Sequence, residues 1–308
     1  VVFIRLYQLQ VVENEFFAKK AHGNRINIRA TLPPRGVIYD RNGRILAENK
    51  TAFQLELIPE QVKDIDDSLM RLSNLGLIDD ESVNSIKTDI RKTQQFKPVT
   101  IRTSLTDNDI AKFAVNMPNF SGINLQPRLI RNYPYSEATS HVVGYLGALS
   151  KSDLIKLNRS SYDPNEKIGK TGSELFNEDH LHGVPGFNQF IANARGREIP
   201  IKTDSIFLEK KAPEPGSNIY LTIDLELQKL ATELLGGRKG AVVAIDPNNG
   251  EILSLVSSPT FNPNIFSNTL TTNQFNELQS NEDQPLFNRA VLGTYSPGST
   301  IKPILGLA

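Results

Sequence analysis

The sequence contains no cysteine, and that one absence removes disulfides, thiolate catalysis and cysteine-based zinc sites together. It leaves the compartment open, since proteins outside the cytoplasm can also lack disulfides. An excess of charge of one sign is missing too: Lys+Arg and Asp+Glu are both 34. Nothing in that balance argues for nucleic acid or a strongly anionic membrane surface as a partner. No apolar run reaches the roughly 20 residues that a bilayer span needs. Binding must therefore come from local sites.

What is present is a chain of 308 residues, 39% of them hydrophobic, which suits about two domains of ~150 residues with ordinary cores. The opening Val1-Val2-Phe3-Ile4 fits either the soluble side of a cut anchor helix or an amphipathic first helix, and no complete transmembrane segment or signal peptide is present. At the other end Ile304-Leu305-Gly306-Leu307-Ala308 stops inside an apolar run without a helix-terminating signal. Both ends are expected to be truncations.

Residues 13–30 read as helical and then extended, until Pro33-Pro34 stops any helix. Val37 to Arg41 and Arg44 to Ala47 flank Asn42-Gly43, the pair best suited to a two-residue type I′ hairpin turn, and Thr51 to Ile58 alternates as another strand. From Pro59 to about Asn119 the text is polar and helical, with Leu69, Leu72, Leu75, Ile86 and Ile90 at helical spacing. Tyr133-Pro134-Tyr135 and His141 to Gly147 predict a return to extended structure, and the Gly-punctuated stretch from Gly169 to Gly196 mixed strand and loop. The charged, Pro-rich segment Lys210 to Gly216 is the best domain linker, placing a boundary near 215. After it, Ile219, Leu221 and Ile223 alternate as a strand, and Asp224 can cap a helix. That helix's apolar stripe is Leu227, Leu230, Ala231, Leu234 and Leu235, and it ends at Gly236-Gly237. Ala241 to Ile245 and Glu251 to Val256 then form a strand pair across a turn at Asp246 to Gly250. The order suggests an antiparallel sheet with helices packed on it.

The sharpest chemical signal is Tyr295-Ser296-Pro297-Gly298-Ser299-Thr300-Ile301-Lys302-Pro303. Pro-Gly makes a turn, which would seat Ser299 at or just inside a helix start with Lys302 one turn on along the same face. A serine hydroxyl is a weak nucleophile unless a base takes its proton. A lysine can be that base if burial or nearby cations favour its neutral form, and the helix start would offer backbone donors to an oxyanion. The plain alternative is an N-capped surface helix. Against it, no other serine in the chain has Lys at the third following position.

The stretch from Asn288-Arg289-Ala290 to Pro303 resembles the nucleophile region of the class B penicillin-binding proteins, whose Ser-x-x-Lys element is a known signature. Gly293 with Tyr295 to Gly298 is closer to the elongation-type members than to the division-type ones. Upstream, Arg35-Gly36-Val37-Ile38-Tyr39-Asp40-Arg41-Asn42-Gly43-Arg44 is similar to the family's first pedestal motif. Tyr133-Pro134-Tyr135 with His141 to Tyr145, Gly169 to Glu174, and Arg195-Gly196-Arg197 are similar to the later ones. Ser296 departs from the proline of many relatives.

The resemblance implies an α+β chain. It would comprise an anchor stub over 1–20, an elongated mixed pedestal over 21–215 with a helical head at about 59–120, and the start of a serine β-lactamase-like transpeptidase domain over 216–308. It further implies a peptidoglycan D,D-transpeptidase of cell elongation. Ser299 would attack the penultimate D-Ala carbonyl of a D-Ala-D-Ala stem peptide, β-lactams would mimic that donor, and no cofactor or metal would be needed. It also implies RodA-type polymerase and MreC-type scaffold partners, and a single-pass anchor in the bacterial inner membrane with the domains facing the periplasm. The family's Ser-x-Asn and catalytic Lys-Thr-Gly motifs follow the nucleophile, so they are expected beyond Ala308 and the 308 residues alone are expected to be inactive. Readings from other classes are a non-catalytic scaffold of the elongation complex and a β-lactam sensor or hydrolase. The large module before residue 215 disfavours a free-standing β-lactamase.

Several local matches are expected to be decoys. Lys170-Thr171-Gly172 spells the catalytic triplet but precedes Ser299, and the first glycine of a phosphate loop ending there would have to be Pro164. Ser82-Val83-Asn84 matches Ser-x-Asn on the wrong side of the nucleophile. Asp179-His180-Leu181-His182 has too few ligands nearby for a structural zinc. His141 and Tyr145 are expected to pack or hydrogen-bond, and Asp40 to pair with Arg41 beside the hairpin turn.

Overall fold

The structure, a computed structural model, describes residues 26–150, 153, 162, 166–193, 208–267 and 272–307. The expected anchor stub, the helix expected from residue 13, and Arg195-Gly196-Arg197 lie outside the described residues.

Strand β1 (Ile26–Thr31) pairs antiparallel with a later strand, and β2 (Ile38–Tyr39) turns into β3 (Ile45–Leu57). The expected hairpin forms, with a different turn. Only Gly43 has a positive φ (80°) in this loop. Gly43 N–H donates to the Asp40 carbonyl at 3.1 Å and Asp40 N–H to the Arg44 carbonyl at 2.9 Å. This is a three-residue loop closed by a left-handed glycine. The cause is Asp40, whose fully buried carboxylate accepts from Asn42 N–H at 2.8 Å and Arg44 N–H at 2.7 Å. Asp40 and Arg41 do not pair, because Arg41 reaches Glu251 instead, at 3.2 Å.

β3 runs unbroken for 13 residues where the sequence suggested two strands. Its polar middle is held by pairing, from Glu48 opposite Asn132 to Leu57 opposite Ile123 on β5 (Ile123–Asn132). The far half of β3 carries the head. Helices α1 (Ile65–Asn74), α2 (Asp80–Lys92) and α3 (Asp107–Asn116) bury Leu69, Leu72, Ile86, Ile90 and Phe113 against Leu55 and Leu57. The head is not purely helical, since β4 (Val99–Arg102) pairs with β3.

The segment expected to be extended around His141 is a helix instead, α4 (Ser136–Val143), which buries Thr139, Ser140 and Val143. Only Val142-Val143 suit a strand, and burial of one helical face wins. Gly144 (φ 84°) ends it, and a Cβ there would lie 1.9 Å from the Thr171 carbonyl oxygen, so only glycine fits. Beyond lie β6 (Leu146–Ala148), β7 (Lys167–Gly169), α5 (Gly172–Phe176), α6 (Glu178–Leu181) and β8 (Gly186–Ile191), the partner of β1.

The Pro-rich segment is no free tether. β9 (Lys210–Lys211) extends the β8 edge, Glu214 bridges Val184, and Gly216 N–H donates to the Pro34 carbonyl at 3.0 Å. The strand expected from Ile219 shrinks to β10 (Ile219–Tyr220), which pairs in parallel with β2. Next come α7 (Leu225–Leu235), the antiparallel hairpin β11 (Gly240–Ile245) and β12 (Ile252–Ser258), α8 (Asn264–Ser267), α9 (Thr272–Ser280), α10 (Arg289–Leu292) and α11 (Lys302–Leu307). Asp224 caps α7 as expected, accepting from Glu226 and Leu227 N–H, and Gly236 ends it at φ 55°. The buried face is rotated from the expected stripe, keeping Ala231 and adding Leu225 and Gln228. Leu230 and Leu234 are 51% and 67% exposed.

Under α5 and α6 lies a buried ionic hub. Arg35 Nε donates to Glu174 at 2.7 Å and its Nη2 to Glu178 at 2.7 Å, while Arg131 Nε donates to the other Glu174 oxygen at 2.7 Å. Asn49 accepts from Arg131 at 3.3 Å and donates to the Arg35 carbonyl at 2.6 Å. Gly169 N–H donates to Glu178 at 2.8 Å. Removing Glu174 leaves buried Arg131 without a carboxylate and Arg35 with Glu178 alone. Glu174→Ala should therefore cost about 3–5 kcal/mol in chemical denaturation, whereas Arg44→Ala, which breaks the exposed pair with Glu226, should cost under about 1 kcal/mol. Comparable losses in the two variants would refute this account of the hub.

Candidate active site

Ser299 lies in a single 3-10 turn, Gly298–Ile301, that leads into α11 at Lys302. Lys302 N–H donates to the Ser299 carbonyl, so the two residues are one turn apart, as the spacing predicts. Gly298 supplies the positive φ (56°) that admits the chain to the turn. Thr300 Oγ1 donates to the Pro297 carbonyl and tightens it. Ser299 and Lys302 are both exposed. The burial expected around the amine is not supplied by the described residues. The apolar side chains of this segment are open as well, with Ile304 at 68% and Leu307 at 90% exposure.

Behind the turn, several polar side chains weld the pedestal to the second half of the chain, and the sequence motifs do not single them out. Gln228, 1% exposed, donates to the Ala138 carbonyl of α4 at 2.8 Å and to the Leu255 carbonyl of β12 at 2.9 Å. It accepts from Ser254 Oγ at 3.0 Å and Leu255 N–H at 2.8 Å. Asn264 bonds both backbone groups of Tyr133, at 2.9 and 3.0 Å. Lys167 donates to the Phe266 and Ser267 carbonyls, each at 2.8 Å, and its burial pushes the amine down to about 8. No sequence signal singles out Gln228, which lies beside the predicted apolar stripe and not in it.

The residues expected to be decoys have structural roles of their own. Lys170 pairs with Asp153, and Gly172 opens α5 at φ 58°, where a Cβ would lie 2.6 Å from the Val142 carbonyl oxygen. The triplet is thus a packing feature of the pedestal. Ser82 bonds the Asp79 carbonyl at the start of α2 in the head. His180 is exposed and His182 buried, with His182 Nε2 2.6 Å from Glu166, and among the described residues no three His, Asp or Glu side chains gather as a metal site. His141 meets Phe261 edge-on at 5.2 Å and Tyr145 stacks on Phe266 at 3.9 Å. Both residues pack, as expected. A half-open groove of about 2030 Å³, lined by Arg35, Arg131, Lys167 and Lys170 among others, includes neither Ser299 nor Lys302. Among the described residues no helix is long and apolar enough to cross a membrane.

Comparison with known proteins gives two family matches, the penicillin-binding protein dimerisation domain over residues 30–221 and the penicillin binding protein transpeptidase domain over 240–308. The chain is 36% identical over 312 residues to the peptidoglycan D,D-transpeptidase MrdA of Haemophilus influenzae, covering 100% of this chain and 47% of that protein. It is 38% identical over 300 residues to MrdA of Acinetobacter baumannii, covering 97% and 44%. A solved complex between penicillin-binding protein PBP2 and MreC from Helicobacter pylori superposes with a TM-score of 0.73 at 26% identity, over 92% of this chain and 52% of that one. The chain spans about half the length of the curated relatives it matches.

His141 and His182 should titrate in opposite directions. Burial pushes His141 from 6.5 down to about 4. Its neutral ring therefore contributes stability that is intact above 6.5 and lost as pH falls towards 4. For His182 burial acts the same way, but the Glu166 carboxylate and the Gly183 carbonyl outweigh it and raise the pKa. Its contribution is full below 6.5 and lost as pH rises through the raised value. NMR titration of the ring protons should find His141 uncharged at pH 5.5 and His182 charged at pH 6.5. The reverse order would contradict both surroundings.

Proposed function

Because the chain belongs to the penicillin-binding proteins, with a dimerisation domain and the start of a transpeptidase domain, we propose that it is part of a peptidoglycan D,D-transpeptidase of cell elongation. The observation that carries this reading is the Pro-Gly-Ser-x-x-Lys turn at 297–302, which presents a serine and a lysine one turn apart. Ser299 Oγ attacks the penultimate D-Ala carbonyl of a stem peptide. Lys302 takes the hydroxyl proton, and the terminal D-Ala leaves with a proton as a free amino acid. An amine on a neighbouring strand then attacks the acyl-serine, forms the cross-link and returns the serine hydroxyl.

β-Lactams would acylate Ser299 in the donor's place. Residues up to about 215 would serve as the pedestal, contacting an MreC-type scaffold and a RodA-type glycan polymerase, and residues 216 onward as the transpeptidase domain. Because the peptidoglycan substrate lies outside the cytoplasmic membrane, the domains would face the periplasm from an anchor in that membrane.

Intact-protein mass spectrometry with peptide mapping, applied to the full-length protein after penicillin treatment, should find one penicilloyl adduct on Ser299 and none in Ser299→Ala. An adduct on another serine would overturn the assignment. Lys302→Ala should slow acylation by about 10²-fold or more, and Lys302→Arg should not rescue it, because a guanidinium does not give up a proton. Near-normal acylation in Lys302→Arg would refute the base role. Lys170→Ala, in contrast, should acylate at nearly the parent rate, and a large defect in the folded variant would mean that the active site is misplaced.

A further inference from the structure

Between β12 and the nucleophile turn stands α10, and its first residue, Arg289, is only 8% exposed although it carries a full charge. Its guanidinium partners are carbonyl oxygens. Nη2 donates to Asp283 at 2.6 Å, and Nη1 donates to Gln284 at 3.0 Å and to Phe287 at 3.5 Å. The Asp283 carboxylate faces elsewhere, pairing with Lys239 at 2.8 Å just before β11. A planar guanidinium reaching carbonyls from two nitrogens holds a loop in one shape, whereas an ammonium on a flexible stem does not impose the same fork. The backbone of Arg289 is fixed too. Its N–H donates to Ser257 Oγ at 2.9 Å, and that hydroxyl, 2% exposed on β12, donates to the Phe287 carbonyl at 3.2 Å.

The other end of α10 is pinched at Gly293. A Cβ there would lie 2.5 Å from the Arg289 carbonyl oxygen and 2.6 Å from the Tyr295 ring. Its φ of −70° is open to any residue, so close approach and not backbone angle demands glycine. The Tyr295 ring thus lies against Gly293, just past α10, and four residues later the chain reaches Ser299.

We propose that Arg289 is a positioning residue for Ser299. Through the carbonyls it gathers, its bond to Ser257 and the close contact at Gly293, it fixes where the nucleophile turn departs from the sheet, without itself touching substrate. The inference rests on the assignment of Ser299 as nucleophile.

The test is pre-steady-state acylation of the full-length protein by a fluorescent penicillin, which separates non-covalent affinity from the acylation rate constant, with the adduct mapped by mass spectrometry. Arg289→Ala and Arg289→Lys should lower the rate constant by about 10²-fold, the loss expected when a reacting group is misplaced by around 1 Å. Affinity should change less than about threefold. Should the Arg289 variants unfold, Gly293→Ala tests the same clasp from its exposed side and should also lose rate at unchanged affinity. A parent-like rate in Gly293→Ala, or full rescue by Arg289→Lys, would overturn the inference alone while the adduct stays on Ser299. An adduct elsewhere in the parent protein would sink the nucleophile assignment and this inference together.

Discussion

Glu174 is fully buried and accepts from two arginines that arrive from opposite directions, Arg35 ahead of the first hairpin and Arg131 at the end of β5. Arg35 and Glu174 are 139 positions apart in sequence. A buried carboxylate without partners would take up a proton or unfold its surroundings, so the site can exist only when all its contributors are in place. That makes the hub a condition on the whole pedestal. β3 must bring Asn49, β5 must bring Arg131, β7 must offer the Gly169 N–H, and α5 and α6 must present both carboxylates on one side. Ion pairs of this kind add little net stability over a well-packed apolar core, but each partial assembly is strongly disfavoured. Their effect is to select one arrangement.

The same arrangement reaches the second half of the chain through Tyr133. Its ring is 1% exposed and its hydroxyl lies 3.4 Å from Glu174, while both of its backbone polar groups are taken by Asn264. Three residues on, α4 begins, and it offers the Ala138 carbonyl to Gln228 and the Glu137 carbonyl to Thr260. The junction therefore combines apolar contacts, Leu225 among Ile38, Leu46 and Val143, with hydrogen bonds that make it specific in register. An apolar seam would tolerate sliding, whereas Gln228, bonded at both ends of its amide, fits one position of α7 against β12.

Much of this was legible where the signal is local. Asp224 as a cap, the glycine at the end of α7, the Asn42-Gly43 hairpin, the leucines and isoleucines of the head and the one-turn spacing of Ser299 and Lys302 all follow from periodicity and turn chemistry. What failed was set by distant partners. The Asn-Gly pair does not adopt the turn it prefers in isolation, because the Asp40 carboxylate is buried and takes two amides of the loop. Val142-Val143 favour a strand but close a helix, Ser136–Val143, that has a face to bury. Counting leucines puts the stripe of α7 on the wrong face, since a glutamine defines the inner one, where alone its four bonds are available. Arg289 stands in the stretch that resembles the nucleophile region, but nothing local predicts its burial, since its partners are carbonyls.

The two lysines beside small residues show why a motif cannot be read without its surroundings. Lys170 sits next to Thr171 and Gly172 in the catalytic spelling, but its amine is engaged by Asp153, and the glycine is required by a carbonyl 2.6 Å from where a Cβ would stand. That triplet has a structural reason for its lysine and its glycine alike. At Ser299 the opposite holds. The serine hydroxyl and the lysine amine share one turn, both residues are exposed, and a Cβ on the glycine before them would meet nothing within 4 Å. Gly298 is therefore demanded by backbone angle alone, as a means of aiming the turn. On the proposed reading, a turn aimed in this way and fixed behind by Arg289 would supply the precision that a nucleophile needs.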